Sequence, residues 1–172
     1  MMIKRILVPI DFSPNSIRAL DYAIELGKPF KTRLSVLYVV EPIYYAVPDF
    51  TGSPAMGELL IEQMGTARAQ LARLAGQYAK RRIKLQALLE TGTAYEAIVE
   101  TAKQIKADLI AMATHGRTGV SHLLLGSVAE RVVRTAPCPV LTLRPGLRRA
   151  ASHRRGTRAK PRTGRRATAT RT

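Results

Sequence analysis

Residues 113–134 read ATHGRTGVSHLLLGSVAERVVR, and they follow directly on the run Asp108-Leu109-Ile110-Ala111-Met112-Ala113. Small and apolar side chains without alternation predict a central parallel strand over 108–113, buried on both faces. After Gly126-Ser127, the residues Val128, Ala129, Val132 and Val133 recur at the spacing of an amphipathic helix. The loop between therefore leaves the carboxyl end of a strand and enters the amino end of a helix. Unpaired backbone N–H groups and the positive end of the helix dipole face that space, and glycine lets the main chain come close to an anion. Gly116, Gly126 and Ser127 are the leading candidates for phosphate contacts.

Outward from this junction, strand-like runs near 3–9, 33–40, 84–90, 108–113 and 139–143 alternate with four helical segments. That alternation is the mark of an α/β fold, an open doubly wound parallel sheet of five strands with helices on both faces. Ser13 as N-cap, Pro14 in the first turn, the stripe Ile17, Leu20 and Ile24, and Gly27 at the end define the first helix. Met56, Leu60, Met64, Ala67, Leu71, Leu74 and Tyr78 form the inward stripe of a second helix near 55–80. The third begins at Thr93-Ala94-Tyr95-Glu96, which has the spacing of a capping box, with Ala94, Ile98, Thr101, Ala102 and Ile105 inward. Between Glu41 and Pro54 there are too many prolines and glycines for a regular element. Tyr44 and Tyr45 in that stretch either lid a bound base or cover the end of the sheet.

The spacing Gly116, nine residues, Gly126-Ser127, together with IKRILVPIDFS, LYVVEP, ADLIAMATHGRTG and PCPVLTLRP in that order, resembles the universal stress protein family. Its nucleotide-binding signature is Gly, two residues, Gly, nine residues, then Gly with Ser or Thr; here Ala113 occupies the first glycine position. The resemblance covers about residues 2 to 145 and implies a Rossmann-like sheet of order 3-2-1-4-5. It implies a site for ATP or AMP, with or without magnesium, built from Pro9, Asp11, Val39, Met112, Ala113, Gly116, Arg117, Gly126, Ser127 and Val128. Asp11 would meet the ribose or adenine and Val39 the base. In an open α/β sheet such a crevice lies outside the carboxyl ends of the strands, where strand order reverses. The residues alone leave a second account of two of these positions. Asp11 suits the cap of the next turn, and Ser127 with Glu130 has capping-box spacing.

Other chemistries find little support. The chain lacks G-x-x-x-x-G-K-[ST] and G-x-G-x-x-G, so no P-loop lysine reaches the outer phosphates. His115 and His122 have neither the cysteines nor the acids of a metal site near them, and Ser127 has no identifiable base to make it a nucleophile. A binder rather than an enzyme is expected, with any ATP hydrolysis slow. Cys138, the single cysteine, lies between Pro137 and Pro139 and reads as structural in a reducing, cytoplasmic setting. No membrane span or secretory signal is visible.

The net charge of +16 is unevenly distributed: residues 147–172 hold nine Arg and one Lys with no acid. With almost nothing apolar to bury, this tail is expected to be disordered, next to a domain of residues 1–146. It suits either a salt-sensitive, sequence-tolerant arm for nucleic acid or a solubilising extension. The last strand, Val140, Leu141, Thr142 and Leu143, would leave an open sheet edge, which antiparallel pairing with a second copy covers. Two functions follow. One is a nucleotide-binding regulator of the stress-protein type; the other is a nucleotide-independent dimeric adaptor acting through its basic tail.

Overall fold

Ile6, Leu7 and Val8 are fully buried, because a parallel strand covered on both faces by helices has no solvent side. In the computed structural model residues 2–42, 54–114 and 126–144 are described. Five strands, β1 (Arg5–Pro9), β2 (Arg33–Val40), β3 (Leu85–Thr91), β4 (Leu109–Ala113) and β5 (Val140–Leu143), alternate with four helices, α1 (Pro14–Gly27), α2 (Pro54–Ala79), α3 (Ala94–Gln104) and α4 (Ser127–Thr135). All neighbouring strands run parallel, in the order β3-β2-β1-β4-β5. The Rossmann-like sheet expected from the sequence is therefore present.

Strand side chains alternate between two cores. Ile6, Val8, Val36 and Ala111 point to the face covered by Leu20, Ala23 and Ile24 of α1 and by Leu71, Leu74 and Tyr78 of α2. Leu7, Leu37, Ile110 and Met112 meet Ile98 and Ala102 of α3 and Ala129 and Val132 of α4 on the other face. Each added methylene buried this way stabilises by roughly 0.8 kcal/mol, which is why the strands with two covered faces anchor the fold.

Boundaries follow the expectations closely, with instructive exceptions. Asp108 stands outside β4, because its Oδ2 accepts the backbone N–H groups of Lys4 and Arg5, both at 2.8 Å, and so ties the beginnings of β1 and β4 together. A 3-10 turn, Lys28–Phe30, follows α1. Along α2, Leu60 and Met64 are half-buried while Ala67, Leu71, Leu74 and Tyr78 are buried; the side chain of Met56 lies outside those described. Val133 was expected on the inner stripe of α4 but is 49% exposed. This nine-residue helix buries Ala129 and Val132 against the core, with Val128 partly buried beside them. The Cys138 thiol is pushed up from its ordinary pKa by burial, with nearby Asp108 adding to the effect, in keeping with a packing role.

Helices α1 and α2 are fastened by one polar group. The Tyr78 hydroxyl donates to Asp21 Oδ1 at 2.9 Å, and Arg81 Nη1 lies 3.5 Å from the same oxygen while its guanidinium sits over the Tyr78 ring. Burial, and then the Asp21 carboxylate, push the Tyr78 hydroxyl up to about 12. Its proton is thus held more tightly in the folded chain than in the unfolded one. The stabilisation is complete below pH 10 and is lost as pH rises through about 12. Tyr78→Phe is expected to cost ~1 kcal/mol at neutral pH and to flatten stability against pH in that alkaline window, as denaturant titrations at several pH values would show.

Candidate functional site

At the carboxyl ends of the strands the sheet splits between β1 and β4, since β2 and β3 lie to one side and β5 to the other. A cavity of about 490 Å³ opens there. Its walls include Pro9, Ile10 and Asp11 after β1, Val39 and Glu41 at the end of β2, Met112, Ala113 and Thr114 from β4, and Gly126, Ser127 and Val128 at the start of α4. Pro9, Asp11, Val39, Met112, Ala113, Gly126, Ser127 and Val128, separated by more than a hundred positions in sequence, meet around one space. Gly116 and Arg117 lie outside the described residues, as do His115, His122, Tyr44 and Tyr45.

The turn after β1 is held by its own polar side chains. Phe12 adopts a left-handed backbone, φ 60, which costs an L-residue roughly 1–2 kcal/mol. The ring recovers contact by packing against Tyr38, with centroids 4.9 Å apart and planes tilted by 42°. This bend brings the Ser13 N–H to Asp11 Oδ1 at 3.0 Å and lets Ser13 Oγ accept from the Ser16 N–H at 3.2 Å, capping α1. The Asp11 N–H in turn donates to Ser16 Oγ at 3.3 Å. Asp11 therefore closes the turn with one oxygen and also lines the cavity. No glycine or asparagine marks position 12, so the bend had no local signal in the sequence.

On the opposite wall Thr114 joins β4, β5 and α4. Its N–H and Oγ1 both donate to the Leu143 carbonyl, at 2.9 and 3.2 Å, while its own carbonyl accepts the Gly126 N–H at 2.7 Å. Gly126 is the N-cap of α4, and Ser127 is the first residue inside the helix. The expected Ser127–Glu130 capping box does not form. Glu130 reaches forward instead to Arg134 Nη2 at 2.9 Å, and among the described residues no side chain caps this terminus. First-turn N–H groups have no acceptor within their own helix, so the positive end of α4 is presented at the cavity with the exposed Ser127 hydroxyl beside it.

A second expected box also gives way to a tertiary contact. Thr93 makes no side-chain cap on α3; Glu41 Oε1 accepts the Ala94 N–H at 2.8 Å, and Glu96 accepts from the Tyr95 hydroxyl at 2.7 Å. Glu41 thus fixes the start of α3 to the end of β2 at the rim. Glu41, Thr114 and Ser16 are wall residues that sequence reading missed: Glu41 and Thr114 act through partners distant along the chain, and Ser16 through the unsignalled bend at Phe12. Among the described residues no group of three or more His, Cys, Asp and Glu is arranged to hold a metal ion, and no helix is long and apolar enough to cross a membrane.

An open parallel sheet with a cleft at its order-reversal point and a helix amino terminus in the cleft wall defines the Rossmann-like class. Within that class the chain belongs to the universal stress protein family, whose profile matches residues 2–144. It is similar to a universal stress protein of Methanocaldococcus jannaschii, 38% identical over 147 residues that make up 82% of each chain. Among solved structures it is similar to UspA of Lactobacillus plantarum, with a TM-score of 0.73 and 27% identity over 84% of this chain and 99% of that one. A universal stress protein in complex with cAMP shares the fold, with a TM-score of 0.61 and 24% identity over 84% and 98% of the two chains.

Proposed function

We propose that the chain is a nucleotide-binding regulator that holds ATP or AMP in the β1–β4 cleft, with the phosphates at Gly126 and Ser127 and the nucleoside near Asp11 and Val39. The observation that carries this reading is the meeting of eight candidate residues around one cavity of about 490 Å³ beside the amino terminus of α4. Pockets for small organic ligands commonly measure about 300–1,000 Å³. Gly116 and Arg117, in the sequence between β4 and α4, complete the phosphate side of the proposal, and Met112, Ala113, Pro9 and Val128 complete its walls. Regulation would act through occupancy, with any hydrolysis slow and magnesium as a companion of ATP. Thermal denaturation with and without AMP or ATP tests the reading. Ligand at a hundred times its dissociation constant stabilises by about 2.7 kcal/mol, so an unmoved transition at millimolar nucleotide would remove the proposal.

Two copies pair through β5, whose one strand neighbour is β4 and whose outer edge otherwise offers unpaired backbone groups. Half-buried Val140, Leu141 and Thr142 lie along that edge, with buried Leu143 at its end. Light scattering on the full chain is expected to give twice the chain mass of 18.9 kDa; a monomer at tens of micromolar would contradict the pairing. To the domain of residues 1–146 the proposal adds the basic segment 147–172 as an arm for polyanions.

A further inference from the structure

We infer that the end of the sheet opposite the nucleotide cleft, where the strands begin, is a second binding surface, built for the phosphate backbone of a single-stranded nucleic acid. It does not depend on the cleft reading. The observation is a repeated exception to a backbone rule. Three helix-to-strand connections close with the same pair of hydrogen bonds. Lys31, Arg82 and Lys106 donate their N–H groups three residues back, to Lys28, Ala79 and Lys103, and the next residues, Thr32, Ile83 and Ala107, donate five back, to Gly27, Tyr78 and Ala102. At the first position of this pair the chain is left-handed, with φ of 52, 59 and 51 at Lys31, Arg82 and Lys106. Glycine takes that conformation at least cost and asparagine next. A cation occupies it all three times.

Helix electrostatics account for other cations here, not for these. Lys28, Lys103 and Arg134 lie at helix ends, where positive charge is favourable, and each pairs with an acid of its own helix, Glu25, Glu100 and Glu130. A lysine could serve the dipole equally well one residue earlier, in an unstrained backbone. Lys31, Arg82 and Lys106 stand beyond the helices, and together with Arg33 and Lys84 they are exposed and have no ion pair among the described residues.

The strands add a second row. Arg5 is in register with Arg33, and Lys84 comes just before Leu85, the partner of Leu34, so Lys84, Arg33 and Arg5 mark the beginnings of β3, β2 and β1. Like charges directly opposite one another destabilise a sheet, so packing gives no reason for this row. The acid beside it, Asp108, is engaged by the Lys4 and Arg5 amides and lies 4.0 Å from Arg5 Nε. Next to Lys31, Phe30 is held in the 3-10 turn with its side chain 47% exposed. Exposed cations and an exposed aromatic ring at the same end of the sheet suit a single strand, whose backbone the cations track and whose bases stack on the ring.

The test uses the full chain and a short, labelled, mixed-sequence single-stranded DNA, with affinity followed by fluorescence anisotropy across a salt series. It is run in the native background and in one where the Arg and Lys residues of the tail are replaced by Gln. Lys31→Gly, Arg82→Gly and Lys106→Gly combined place glycine where the backbone favours it, so the melting temperature should hold or rise. Asn at the same three positions is the alternative if the glycine variant does not fold. In the Gln-tail background binding is expected to persist, and the triple variant should lower the slope of log affinity against log salt by roughly 2, at about 0.7 per lost phosphate contact. Phe30→Ala should weaken binding roughly fivefold or more without changing that slope. An unchanged slope in the triple variant in both backgrounds overturns the inference. So does loss of binding to phosphatidylserine vesicles alone, with DNA binding intact, which would assign the surface to membranes.

Discussion

A Gly126→Val variant is expected to keep its fold and to lose the thermal stabilisation given by adenine nucleotide. Gly126 has an extended backbone, φ −70 and ψ 154, a conformation valine adopts readily, so no left-handed strain is introduced. An apolar N-cap in place of glycine costs roughly 0.5–2 kcal/mol of stability, a loss visible without ligand and separable from binding. Gly126 lines the cleft and donates its N–H to the Thr114 carbonyl, so a branched side chain there would add bulk at the cleft wall. At nucleotide concentrations that stabilise the native chain by about 2.7 kcal/mol, the variant should show none of that gain. Equal ligand-induced shifts in the two proteins would take Gly126 out of the phosphate site.

The largest effect on stability is expected at Ile110. It is fully buried on β4, in register with Leu7 on one side and Val140 on the other, and packs in the core that α3 and α4 cover. Ile110→Ala removes methylenes from a place where neighbours on adjoining strands are fixed by backbone hydrogen bonds and cannot collapse inward. A loss of about 2–5 kcal/mol follows, a large share of the roughly 5–15 kcal/mol that holds such a domain. Urea unfolding should show a lower midpoint at an unchanged slope. Val133→Ala, on the half-exposed side of α4, is the control and should fall within about 0.5 kcal/mol of the native chain. If the two variants cost the same, the core assignment is wrong.

The parts of the fold written in local pattern were legible. Ser13, Pro14 and Gly27 bounded α1 because a cap, a first-turn proline and a terminal glycine act within a few residues of themselves. β2 spans 33–40 as read, since apolar residues fill it from Leu34 to Val40 apart from Ser35. Strand order came from family resemblance, as hydrophobic periodicity carries no information on which strands are neighbours. The two capping boxes failed for different reasons: at α3 partners other than Thr93 were better placed, and at α4 the cap position fell on Gly126, one residue before Ser127. Glu41 took the start of α3, and Arg134 took Glu130. The bends at Phe12, Lys31, Arg82 and Lys106 were hidden because none has the glycine or asparagine that advertises a left-handed residue. Of the cleft, Pro9, Asp11, Val39, Met112, Ala113, Gly126, Ser127 and Val128 were legible in the sequence, and the wall residues Ser16, Glu41 and Thr114, which set the geometry through backbone contacts, were not.

The most direct test is a titration of isotopically labelled full-length protein with AMP, followed residue by residue through amide nuclear magnetic resonance. Saturable shifts with one dissociation constant are expected at Ile10 and Asp11, at Ala113 and Thr114, and from Gly126 to Val128, while Arg33 and Lys84 at the far end of the strands stay still. Cleft amides that do not move at saturating nucleotide, or shifts confined to the cationic residues at the opposite end, would contradict the assignment of the β1–β4 cleft as the nucleotide site.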